Sequence, residues 1–117
     1  MIVVDAPPDQ HDAELAFWQA ASGTQLNQLE RHPEYHGAAL PHTDIAMLVQ
    51  RLGTGPARYH VDIHTDDLDA ELARLVALGA HLVERVDFWC VLRDPAGLLM
   101  CVVLDHRVNA SNAQRWD

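Results

Sequence analysis

The segment IVVDAPPDQHDAELA (residues 2–16) returns later in the chain as YHVDIHTDDLDAELA (residues 59–73). Shifted by 57 positions, the two segments align without a gap, share eight of fifteen residues and end in the identical run DAELA. A match of this length at the start of each half of the chain indicates an internal repeat. The sequence therefore predicts a fold built from two copies of one unit.

Each copy is predicted to contain one strand, one helix and then three strands. The helix of the first copy begins at Asp9 or Asp12 and stops at Gly23, and that of the second begins at Thr65 or Asp66 and stops at Gly79. In the first copy, the later part is predicted as weak strands over 24–30 and 37–40, a polar turn over 31–36 and a strand over 45–52. In the second copy, strands are predicted over 59–64, 81–85, 88–93 and 98–104, the last of them buried on both faces.

Two βαβββ modules of this kind predict an α+β fold. The modules would pair about a pseudo-twofold axis, with mixed sheets forming a cup and the helices outside. We expect a single domain over 1–117, in which 1–52 is the first module and 58–105 the second. A linker over 53–57 would join them, and a polar tail would follow over 106–117.

The strand that opens the second copy alternates strictly between apolar and polar side chains. Tyr59, Val61 and Ile63 fall on one face, which predicts a helix packed on it, while the other face carries polar groups. Those groups are His60, Asp62 and His64. Because the fold would turn this face into the cup, His60 is the leading candidate for a site. His64 is expected to be structural, and Asp5 and Asp62 are expected to brace loops or to act as a pair of acids.

Composition excludes several classes of partner. The chain has 117 residues, a net charge of −9 and no Lys, so binding to nucleic acid or to anionic membranes is not expected. No apolar run is long enough to span a bilayer, and the first residues do not resemble a signal peptide. With only two Cys, the chain is expected to be cytoplasmic, with free thiols.

Four segments spread along the chain resemble a known superfamily. They are Ala16-Phe17-Trp18 before Gly23, Leu48-Val49-Gln50-Arg51, His60-Val61-Asp62-Ile63 leading to residues 75–80, and Asp94-Pro95-Ala96-Gly97 followed by Cys101-Val102. The resemblance is to the vicinal oxygen chelate superfamily of glyoxalase I, bleomycin-resistance proteins and extradiol dioxygenases, and within it to the bacterial glyoxalase-like domains.

This resemblance implies where a metal ion would bind. In metal-dependent members, ligands come from the first and last strands of each module, and the equivalent positions here are Val3, Gln50, His60 and Cys101. Val3 cannot ligate, an amide is a poor ligand, and Cys101 stands where a Glu is usual. The set favours a cup without metal or other cofactor, and a divalent metal is the alternative.

The segment Asp94-Pro95-Ala96-Gly97 predicts a type I turn with Gly97 left-handed. With this three-residue loop, Cys101 faces Val91 and Cys90 faces Val102, so the two thiols point to opposite faces. A four-residue loop would instead place the two Cys opposite each other, at disulfide distance. The first register is favoured and puts Trp89, Arg93, Leu99 and Val103 in the cup.

Three functions are consistent with these patterns. The first is a resistance-type, sequestering or ligand-sensing cup for a small, partly aromatic molecule, in which Trp89 provides a flat wall. The second is a metal-dependent lyase, isomerase or dioxygenase that uses His60. The third is a structural dimerisation domain with a collapsed cup. A Cys101 nucleophile activated by His60 is a further hypothesis, and a homodimer is expected. The predicted ligand-binding residues are His60, Gln50, Trp89, Val91, Leu99, Cys101 and Asp62.

Overall fold

The computed structural model describes residues 1–116. The chain forms two compact units, Met1–His60 (unit 1) and the part from Val61 onward (unit 2). The division falls inside strand β5, which is therefore described with both units. The elements are β1 (Ile2–Ala6), α1 (His11–Ser22), β2 (Asn27–Leu29), β3 (His32–Ala39), β4 (Ala46–Arg51), β5 (Arg58–Thr65), α2 (Leu68–Ala77), β6 (His81–Val86), β7 (Trp89–Arg93) and β8 (Leu99–Leu104). This order confirms the predicted α+β class with two βαβββ modules.

Unit 1 has its strands in the order β2-β3-β4-β1. β1 runs parallel to β4, and the other neighbours are antiparallel, so the sheet is mixed. Val4, Leu26 and Val49 form its buried core, with Leu15 and Trp18 of α1 packed against them. Even-numbered residues of β1 therefore face the helix, and odd-numbered residues face away from it.

Unit 2 repeats this arrangement with strands in the order β5-β8-β7-β6. Its core is larger and consists of Leu68, Leu75, Ala80, Cys90, Leu92 and Val102, with Ile63 and Leu72 packed against it. The side of each sheet that faces away from its helix is called the open face below. None of the described helices combines the length and apolar character needed to cross a bilayer.

The two helices begin differently: α2 has a side-chain cap at its first turn, and α1 does not. α2 starts with Asp67, whose side chain accepts a hydrogen bond of 3.0 Å from the Ala70 amide, so the cap is neither Thr65 nor Asp66. α1 starts after Gln10, whose side chain makes no capping bond. Gly23 follows α1 with φ of 66°, a left-handed conformation that glycine adopts without strain.

Two sequence-based expectations about strands are wrong. Residues 31–36 were predicted as a turn, but His32–Ala39 form β3, because Pro33 precedes the part of that strand that pairs with β4. In β8, only Val102 is fully buried, and its neighbours are half-buried, so the strand is not enclosed on both faces.

The alternation in β5 predicts a helix packed along its whole apolar face, but only part of that face is covered. Ile63 packs on the core of unit 2, but Tyr59 is 68% exposed and Val61 is 52% exposed. The alternation itself is correct. The core beneath α2 extends along β5 only as far as Ile63, and a strand pattern does not reveal how far a helix extends along it.

Candidate functional site

Strand β5 brings its polar side chains to the open face. In the parallel pairing with β8, Asp62 lies opposite Cys101, and in the antiparallel pairing of β7 with β8, Cys101 lies opposite Val91. His60 precedes Asp62 by two residues and therefore shares its face. The register thus lines up a carboxylate, a thiol and an apolar side chain across three strands, with an imidazole beside them.

His60 is oriented by a buried acid. Its Nδ1 lies 2.6 Å from Oδ2 of Asp5, whose side chain is only 1% exposed. Nε of Arg58 lies 3.4 Å from the same oxygen, which places positive charge beside the carboxylate. A carboxylate removed from water needs such partners. Asp5 therefore fixes the ring of His60. The expectation was that Asp5 braces a loop, and the contact observed is with a side chain on β5.

Three residues on β5 and β8 bring potential metal-ligand atoms close together. One ligand atom each from His60, Asp62 and Cys101 lies within 4.8 Å of the other two. Ligand atoms around one tetrahedral zinc ion lie about 3.5 Å apart, so small side-chain rotations would bring these three into one coordination sphere. Imidazole, carboxylate and thiolate are all zinc ligands, and the donor set fits that ion. Asp62 was predicted as a ligand-binding residue but was absent from the predicted ligand positions.

The remaining predicted metal positions lie on the open face of unit 1. Val3 is 1% exposed and lies opposite Leu48, while Gln50 lies opposite Asp5. Nε2 of Gln50 donates a 3.5 Å hydrogen bond to the hydroxyl of Tyr35. Neither residue belongs to the group formed by His60, Asp62 and Cys101.

The predicted hairpin register is confirmed. Cys90 pairs with Val102, and the Gly97 amide donates to the Asp94 carbonyl at 2.9 Å, with φ of 91° at Gly97. Both cysteines are free, and Cys90 is buried in the core of unit 2. Burial raises the pKa of the Cys90 thiol, so this side chain acts as a small apolar residue of that core.

Trp89, which is predicted to form an aromatic wall, lies on the open face of unit 2. Trp89 lies opposite Val103, and Leu99 lies opposite Arg93. Trp89 is half-buried, and its ring centroid lies 4.7 Å from that of Phe88 at an interplanar angle of 72°. Arg93 donates a 2.8 Å hydrogen bond to the Gly97 carbonyl and so supports the hairpin.

His64 is held at the end of β5 by Asp105. Its Nδ1 lies 2.8 Å from Oδ2 of Asp105, and Arg107 also binds that carboxylate. The hydrogen bonds from Arg107 and His64 hold the pKa of Asp105 well below its usual range, although burial opposes them. This arrangement agrees with the structural role expected for His64.

No curated protein matches the chain. Among solved structures, an NAD-dependent benzaldehyde dehydrogenase from Legionella pneumophila matches with a TM-score of 0.60 at 10% identity, covering 89% of this chain and 98% of that one. Methylmalonyl-CoA epimerase from Mycobacterium tuberculosis matches with a TM-score of 0.58 at 16% identity, covering 88% and 84%. At these identities the likeness shows the fold alone.

A family model described as "Glyoxalase-like domain" matches residues 1–103. The match contains both modules, including β5 and β8 with the group formed by His60, Asp62 and Cys101. The chain therefore belongs to the glyoxalase-like domain family.

Proposed function

We propose that this domain binds a small, oxygen-bearing molecule on the open face beside β5, around a divalent metal ion held by His60, Asp62 and Cys101. The observation that carries the proposal is the grouping of their three ligand atoms within 4.8 Å. Three protein ligands with one further position for water or substrate are the pattern of a catalytic zinc site.

The contact between Asp5 and His60 supports this proposal independently. A histidine that ligates through Nε2 commonly donates its Nδ1 hydrogen to a carboxylate, which fixes the tautomer and raises the basicity of the ring. The 2.6 Å distance between His60 Nδ1 and Asp5 Oδ2 fits that arrangement. Asp5 would thus be a positioning residue, and its burial would keep it away from the ligand.

The proposed chemistry is of the glyoxalase-superfamily type, in a lyase, isomerase or dioxygenase. A bound divalent ion would polarise a carbonyl or enolate oxygen of the ligand. Trp89, Val91 and Leu99 would form an apolar wall against its carbon skeleton, and a flat, partly aromatic molecule suits the face of Trp89.

Elemental analysis of protein purified without added metal tests the proposal. We expect one equivalent of a divalent ion in the natural chain and its loss in both His60→Ala and Asp62→Asn. His81→Ala is the matched control, because His81 is exposed on β6 and should leave the metal content unchanged. A natural chain that takes up no divalent ion, even after incubation with Zn²⁺, would contradict the proposal.

A second candidate is a metal-free binder of the resistance, sequestering or sensing type. It is favoured by the half-buried Trp89 and Leu99 on the same face as Cys101. A thermal-shift screen of small aromatic compounds in the presence of a chelator tests it. A hit that persists with chelator and disappears in Trp89→Leu supports this candidate, and a hit that requires metal supports the first.

We also infer that the chain forms a homodimer. Phe17 is 59% exposed and Tyr59 is 68% exposed, and the ring of Trp18 contacts both of theirs. Sedimentation analysis of the natural chain and of Tyr59→Ser tests this, and a monomeric natural chain would contradict it. The structural-dimer hypothesis requires the same dimer without any ligand.

The remaining expectations stay predictions. They are that the protein is bacterial and cytoplasmic and that it binds neither nucleic acid nor membranes.

A further inference from the structure

Two histidines pack together on the helix side of unit 1. His11, the first residue of α1, is 2% exposed, and His36 lies in β3 opposite Val49. Their ring centroids are 5.3 Å apart, with an interplanar angle of 51°. Nε2 of His11 and Nδ1 of His36 are both buried, and no other described group hydrogen-bonds to either nitrogen. This His11–His36 pair is separate from the group around His60.

The repeat shows how unusual these positions are. His11 aligns with Leu68, and the strand registers make His36 equivalent to Leu92. Both leucines belong to the apolar core of unit 2. A buried polar atom without a hydrogen bond destabilises the folded chain. Unit 1 therefore keeps imidazoles where the same architecture accepts leucine, a departure that proteins typically make at functional positions.

The spacing of the pair is that of two ligands on one metal ion. Two imidazoles bound to a tetrahedral zinc ion, with Zn–N bonds of about 2.0–2.1 Å, have ring centroids about 5 Å apart. The observed separation is 5.3 Å. Nδ1 of His11 lies 3.3 Å from Oδ1 of Asp12, which fits ligation through Nε2 with a carboxylate behind the ring.

The charges around the pair offset each other. Nη2 of Arg51 lies 3.3 Å from Oδ1 of Asp12 and 3.5 Å from Nδ1 of His11. Burial, followed by the charges of His11 and Arg51, lowers the pKa of His36, and Asp12 opposes these effects. The neutral form of an imidazole is the form that binds a metal, and the direction of this shift agrees with the geometry of the pair.

We propose that His11 and His36 form a second metal site, which takes a late first-row divalent ion such as Zn²⁺ through the two imidazoles, with water completing the coordination. Imidazole pairs suit Zn²⁺ and Cu²⁺ and discriminate against Mg²⁺ and Ca²⁺, which prefer oxygen ligands.

Titration calorimetry with Zn²⁺ at neutral pH tests the site in the full chain. The natural chain should bind two equivalents tightly, and His36→Gln and His60→Ala should each bind one. His32→Gln is the matched control, because His32 lies on the same strand, is 43% exposed and should leave both equivalents in place. Mg²⁺ should give no tight equivalent at the His11–His36 pair.

The two proposed sites fail separately in this experiment. If His36→Gln keeps both equivalents, the second site is overturned, while the site at His60 stands. If His60→Ala keeps both, the proposal at His60 is overturned and the second site stands. Should His36→Gln fold poorly, His36→Leu supplies the residue that unit 2 carries at this position. It must also lose one equivalent, and retention of both would overturn the second site.

Discussion

Three equivalent positions of the repeated unit, called the corner below, carry polar residues in unit 1 and apolar residues in unit 2. Position by position, His11 corresponds to Leu68, His36 to Leu92 and Arg51 to Val102. The three residues of unit 2 are part of one apolar core, whereas those of unit 1 contact each other through polar groups. Backbone pairing has therefore been retained while the side chains have diverged, so stability and chemistry are divided unequally between the units.

The open faces of the two units also differ, because their equivalent carboxylates make different contacts. Asp5 and Asp62 are repeat equivalents, and each lies beside the equivalent position of its partner strand, Gln50 for Asp5 and Cys101 for Asp62. Asp5 is bound to His60, whereas Asp62 contributes an atom to the group with His60 and Cys101. One of the two equivalent carboxylates thus holds the imidazole, and the other is the one that we propose as a metal ligand.

The largest effect is expected from truncating the apolar corner. Leu92 is fully buried, and Leu92→Ala should lower the free energy of unfolding by about 2–5 kcal/mol, because it removes packed atoms and leaves a cavity. The counterpart in unit 1, His36→Leu, should be near neutral or stabilising in the presence of a chelator. Urea denaturation of the two variants measures both, and equal losses would contradict the contrast between the corners.

The next largest effect is expected on Zn²⁺ affinity when Asp5 or Asp62 is replaced. Asp5→Asn should weaken the binding of Zn²⁺ at His60 by about 10–100-fold, because the carboxylate behind a ligating histidine is lost while the ligands remain. Asp62→Asn should remove tight binding at that site. Competition with a chromophoric chelator measures both affinities, and an Asp5→Asn variant that binds like the natural chain would refute a positioning role for Asp5.

A smaller effect is expected at the helix starts. Asp67→Ala should cost about 1 kcal/mol of unfolding free energy, because the bond from the Ala70 amide to the Asp67 side chain is lost. Gln10→Ala is the matched control and should change stability little, because Gln10 makes no capping bond. Thermal unfolding of both variants checks the difference, which should disappear if α2 is stabilised only by its packing.

The smallest effect is a pH dependence carried by unit 1. Because the pKa of His36 in the folded chain is below the ordinary value of 6.5, the unfolded chain takes up this proton first as the pH falls. The contribution of neutral His36 to the free energy of unfolding is therefore complete above pH 6.5. It is lost as the pH falls from 6.5 towards the pKa of His36 in the folded chain. Urea midpoints across this range, with chelator present, should fall less in His36→Leu than in the natural chain.

Local sequence chemistry predicted the elements that depend on neighbours along the chain. The type I turn at Asp94–Gly97 determined the pairing of Cys90 with Val102, because a hairpin loop sets the register of its own strands. The repeat likewise predicted that each copy forms one βαβββ module. Such features need only short-range rules and one alignment.

Features that depend on packing between distant segments were not predicted. The exposure of Tyr59 and Val61 follows from how far α2 reaches, which no strand pattern encodes. The His11–His36 pair joins residues from a helix and a strand and was also missed. A signal for it was nevertheless present, because the repeat aligns His11 with Leu68, and a polar residue at a core position of a repeat indicates a local difference between the copies.

The contact between Asp5 and His60 also bears on how the chain can be cut. The segment Gly53-Thr54-Gly55-Pro56 separates these residues in the sequence, and it looks like a natural place to divide the repeat into two independent fragments. A cut there would place His60, Asp62 and Cys101 on one fragment and the carboxylate that orients His60 on the other. Two separately produced fragments would therefore have to associate before Asp5 could orient His60, whereas in the natural chain both residues belong to one polypeptide.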